Sequence, residues 1–117
     1  MVHTAFTFIV VAEDGTGHQH HTRQRAGSVD DLLRRAVGGW LEPIRVGAAN
    51  LAAWCDEDGP AQGRRPNSVA GLLVARLGGA RLPLVGPIAV TGRGDGTVRS
   101  LTADQVDAVL AALAHCR

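Results

Sequence analysis

Residues 5–12, AFTFIVVA, constrain this chain more than any other segment. Phe6, Phe8 and Val10 alternate with Thr7, Ile9 and Val11, so a strand here carries apolar side chains on both faces and needs cover on each. That is the pattern of a central strand, and the remaining residues have to supply its neighbours. Asp14-Gly15 followed by Thr16-Gly17 signals a turn. The polar stretch His18 to Arg25 then returns antiparallel as an edge strand, where hydrophilic side chains discourage pairing with another molecule.

Ser28 and Asp31 have the form of a capping box, and Val29, Leu32, Leu33, Ala36 and Val37 recur at helical spacing. They predict a helix from about Val29 to Val37, closed at Gly38-Gly39. WLEPIRVG, residues 40–47, reads as a strand pushed to an edge or a bulge, because Pro43 has no amide to donate. NLAAWC, residues 50–55, is the other arm of a hairpin bent at Gly47. Residues 56–66 have loop composition and the length of a functional segment. Asn67 caps a second helix carrying Ala70, Leu73, Val74 and Leu77, closed by Gly78-Gly79. LVGPIAVTG, residues 84–92, is a last strand broken by Gly86-Pro87, with GRGDG behind it as a flexible turn. The C-terminal helix has a full start signal: Thr102 caps, Gln105 completes the box and Leu101 staples onto Val106.

The order strand, strand, helix, strand, strand, helix, strand, helix predicts an α+β domain, a mostly antiparallel sheet of about five strands with three helices on one side. With 117 residues the chain has the size of a single domain over residues 1–117. A net charge of +1 gives no broad field for phosphates, so nucleic acid is not indicated. No apolar run is long enough to span a membrane or form a signal core. Cys55 and Cys116 make neither a C-x-x-C pair nor a disulfide framework, and free thiols in a reducing, cytoplasmic compartment are the expectation.

Each candidate for chemistry has an architectural counterpart. His18 and His20 share a strand face while His21 points the other way, so this segment offers two metal ligands at most, and solvated imidazoles on an edge strand are the expectation. Asp56-Glu57-Asp58 could hold a divalent ion or simply form a solvated turn. Trp40 and Trp54 could meet across the hairpin and stack a ligand ring, or pack as sheet aromatics. No phosphate loop is present, since the chain has no lysine, and neither a catalytic set nor a cofactor motif is recognisable.

From Gly38 onward the order of motifs resembles the family called domain of unknown function 3846: GGWLEPIRVG at 38–47, DEDG at 56–59, RPNSVA at 65–70, VGPIAVTG at 85–92 and SLTADQVDAVL at 100–110. The family pattern falls on Gly38, Gly39, Trp40, Glu42, Glu57, Gly59, Asn67 and Ala70. The histidine-bearing second strand and the GARLPL approach to the last strand depart from it. The resemblance implies the α+β architecture and an actinobacterial, phage or mobile-element setting, and it implies no activity. The resulting expectation is a non-catalytic, homo-oligomeric binding module without metal or cofactor. It would take a partner protein or small ligand through Trp40, Glu42, Arg45, Trp54, Glu57, Arg64 and Asn67. Two alternatives stand beside it: a small metal-assisted hydrolase or nuclease using Asp56 and Glu57, and a host-defence antagonist that sequesters a nucleotide.

Overall fold

The computed structural model describes residues 3–25, 29–48 and 50–117. The element order is β1 (His3–Val11), β2 (Gly17–Arg25), α1 (Val29–Val37), β3 (Leu41–Ile44), β4 (Leu51–Asp56), α2 (Ser68–Arg76), β5 (Ile88–Gly94), β6 (Thr97–Arg99) and α3 (Ala103–Ala114). This is the expected α+β order with one added strand, β6. All pairings are antiparallel, in the order β2-β1-β5-β4-β3, with β6 also paired to β5. The proposed cap at Ser28 lies outside the described residues.

The two faces of β1 explain the layering. Phe6, Phe8 and Val10 pack with Leu33 and Val37 of α1, whereas Ile9 and Val11 pack with Leu73 and Val74 of α2 and with Val109 and Leu113 of α3. The helices therefore lie on both sides of the sheet, which corrects the one-sided expectation. A strand that is apolar on both faces leaves half its side chains in water unless each face is covered. Leu33 and Val37 are fully buried, each worth about 1.5–3 kcal/mol of transfer free energy. With Val29, Leu32 and Ala36 packed beside them, those two residues seat the nine-residue helix on the sheet, and Asp30, Asp31, Arg34 and Arg35 make up the rest of it.

The GRGDG segment is also more ordered than expected. It continues β5 to Gly94, turns at Asp95-Gly96 with both residues at positive φ, and returns as β6. The Asp-Gly pair supplies the twist-matched two-residue hairpin turn that joins neighbouring strands. At the other end, β5 begins only after Pro87, while Val85 forms an isolated bridge to Pro66. No helix among the described residues is long and apolar enough to cross a membrane.

Asn67 ties the layers together. Its Oδ1 accepts from Ala70 N at 3.1 Å and caps α2, while its Nδ2 donates toward Val11 O, Ala12 O and Gly86 O at 3.2, 3.1 and 2.9 Å. One buried amide thus joins the end of β1, the approach to β5 and the start of α2.

Candidate functional site

The C-terminus of α1 closes with Gly38 N and Gly39 N both donating to Arg34 O, Gly38 being at φ +85°. That conformation favours glycine. The chain then passes so close to the 56–64 loop that a side chain would not fit. A Cβ on Gly38 would lie 2.4 Å from Arg64 Nη2, and one on Gly39 would lie 2.3 Å from Asp56 Oδ1.

Arg64 is the clamp of this turn. Its Nη2 donates to Gly38 O at 2.8 Å and its Nε donates to Asp56 Oδ2 at 3.0 Å, with the Asp56 carboxylate buried. The second carboxylate oxygen accepts from Asp58 N at 2.9 Å, and Glu57 N donates to Trp40 O at 2.8 Å. The acidic run is therefore split: Asp56 turns inward to Arg64, and Glu57 and Asp58 are exposed. The outcome of these contacts is a fixed turn that carries Trp40 into solvent, 65% exposed, with the Arg34 guanidinium 4.7 Å from the ring centroid. Arg34 is itself held by Asp30 and Asp31 at 3.1 and 2.5 Å. A shallow, largely apolar depression of about 330 Å³ lies between Trp40, Arg35 and the Gly38-Gly39 turn.

The remaining expected residues are distributed around this turn. Trp54 is half-buried across from Pro43, and its Nε1 donates to Thr91 Oγ1 at 3.0 Å. The two indoles thus take different neighbours, Arg34 for Trp40 and Thr91 for Trp54. Trp54 and Arg45 line one cavity. Glu42 projects to the opposite face of β3, where it accepts from the Cys55 thiol at 3.7 Å. Burial first, and then the Glu42 carboxylate, push the Cys55 pKa up to about 11, which keeps the thiol protonated at neutral pH. Asn67 is 1% exposed and bonded at both its oxygen and its nitrogen, so its polar atoms are taken up by the protein.

The histidines divide as their alternation requires. His20 stacks on Phe8 with centroids 4.9 Å apart, His18 meets Thr16, and His21 on the other face bonds Thr7 Oγ1 at 2.5 Å. Among the described residues no group of three or more His, Cys, Asp or Glu side chains is placed to hold a metal. Cys55 and Cys116 are free, buried and part of the same apolar cluster beneath α2 and α3.

Two residues of this region escaped the sequence reading. Arg34 occupies the last turn of α1, six residues before Trp40, a spacing that becomes a contact only once Gly38 reverses the chain. Arg93 follows Thr91 on the same face of β5, a signal of strand alternation hidden by reading GRGDG as a turn.

Comparison with curated proteins and with solved structures gave no match. The family model described as a domain of unknown function (DUF3846) matches residues 7–114, which takes in the Gly38-Gly39-Trp40 turn, its Arg64 clamp and the helices α1, α2 and α3. On that match, the chain belongs to the DUF3846 family.

Proposed function

We propose that this chain is a non-catalytic cytoplasmic interaction module that docks a partner protein through Trp40, the simplest partner being a second copy of the chain. The observation that carries the reading is a large indole 65% exposed on a turn fixed from three directions. Tryptophan and arginine dominate the energetics of protein interfaces, and truncating such an anchor costs about 2 kcal/mol or more. Arg64 and Asp56 lower the ordering cost of association by holding the turn before a partner arrives. Arg34 shields one indole face and leaves the other for contact.

The disposition of Asp56 favours this reading over metal-assisted hydrolysis. Its two oxygens are bonded by Arg64 and Asp58 N, so it serves the turn, and Glu57 beside it is solvated. Sedimentation velocity over a wide concentration range tests the self-association arm. Wild type should form a dimer that Trp40→Ala abolishes while its circular dichroism stays unchanged. A Trp40→Ala protein that associates as wild type does contradicts the assignment.

A further inference from the structure

A second site lies at the end of β3, β4 and β5 beyond α1, lined by Trp54 from the α1 side of the sheet and by Ile44, Leu51 and Ala53 from the opposite cluster. No residue of α1 lines this cavity, which has a volume of about 560 Å³. That volume falls within the roughly 300–1,000 Å³ usual for small-molecule sites. Its walls are Pro43 and Trp54, a cross-strand pair, together with Arg45 and Arg93, and Ala52 supplies a small floor residue.

The charge of the cavity is one-sided. None of its lining residues is acidic. The Arg45 and Arg93 guanidinium groups have no hydrogen bond or ion pair among the described residues, whereas Arg34, Arg64 and Arg99 are all engaged by carboxylates. In a chain of net charge +1, two uncompensated guanidinium groups at one cavity form a local anion-attracting patch. Guanidinium groups suit phosphate oxygens through paired donors in a planar fork.

The indole adds the second requirement. Its only polar atom is spent on Thr91 Oγ1 at 3.0 Å, so Trp54 offers the cavity an oriented aromatic surface rather than a hydrogen bond. A flat ring is the complement of such a surface, since base–aromatic stacking contributes about 1–3 kcal/mol. We infer that this cavity binds a mononucleotide, with its phosphate on Arg45 and Arg93 and its base against Trp54 and Pro43. The site is separate from the Trp40 turn, which contributes no residue to it.

Isothermal titration calorimetry of the full chain with the four ribonucleoside 5′-monophosphates, the matching nucleosides and inorganic phosphate tests the assignment. At least one nucleotide should bind, with its nucleoside and inorganic phosphate each weaker by about tenfold or more, the loss of one charge-assisted or stacking contact. Arg45→Glu and Arg93→Glu replace exposed side chains, so the fold survives, and each should weaken the nucleotide by a similar factor while Trp40→Ala leaves it unchanged. Nucleoside binding equal to nucleotide binding, phosphate binding equal to nucleotide binding, charge-reversed proteins that bind as wild type, or no heat with any nucleotide would each overturn the inference. Because Trp40→Ala is silent in this assay, failure here leaves the docking role of Trp40 standing, and the reverse also holds.

Discussion

Replacing Asn67 by alanine removes a helix cap and a three-way tie in one step. Loss of the Oδ1 acceptor for Ala70 N costs about 1 kcal/mol, the usual figure for an N-cap. Loss of Nδ2 strips a donor from Val11 O, Ala12 O and Gly86 O. Two amide hydrogens serve those three acceptors, so two full bonds are lost, at about 1–3 kcal/mol for each acceptor left buried and unpaired. The sum is about 3–7 kcal/mol, a large part of the roughly 5–15 kcal/mol that holds a domain together. In urea, with a slope of about 1.5 kcal/mol/M for a chain of this size, the midpoint should fall by about 2 M or more. Asn67→Asp separates the two halves of the effect: it keeps the cap acceptor but turns an oxygen toward three carbonyls, so it should fail to rescue. An Asn67→Ala protein that loses less than about 1 kcal/mol, or an Asn67→Asp protein as stable as wild type, refutes the claim that the amide donor joins the layers.

Further outcomes follow from the turn and from the buried thiol. Arg64→Ala should destabilise the fold by about 1–3 kcal/mol in chemical denaturation, because the buried Asp56 carboxylate loses its charged partner, and should raise amide exchange at Gly39 and Glu57. Cys55 should react slowly with iodoacetamide at pH 8, since its folded pKa of about 11 lies above the ordinary thiol value of 9.0. By linkage, the unfolded chain releases this proton first as pH rises. Stability is fully present below pH 9.0 and declines toward pH 11, and Cys55→Ala should flatten that decline in urea titrations. Glu42→Gln should narrow the window by lowering its upper end, since it removes the second cause of the raised folded pKa.

Much of the fold was legible because local signals and tertiary demands agree. The 29–37 helix, the polar edge strand after Gly17 and the Thr102–Gln105 box all appear where their residues place them. The layering was legible too, in the double-sided apolar pattern of residues 6–11, but assigning helices to one side overlooked its consequence. The strand Thr97–Arg99 was hidden because three residues carry too little periodicity, and only the Asp95-Gly96 turn betrayed it. At the candidate site, Trp40 and Arg64 could be singled out by residue type, and their link through the Gly38 carbonyl could not. Long-range hydrogen bonds leave no spacing in the sequence. Asn67 shows the converse: its cap was readable from Asn67-Ser68-Val69-Ala70, while its three ties to β1 and the β5 approach required the assembled sheet.

Native mass spectrometry of wild type and Trp40→Ala, each isolated from cells under identical gentle conditions, tests most directly the claim that a rigidly held indole anchors a protein complex. Wild type should carry a second polypeptide, either its own copy or another chain, and Trp40→Ala should fly as the bare monomer with the narrow, low charge-state envelope of a folded chain. Identical assemblies from the two proteins would contradict the account.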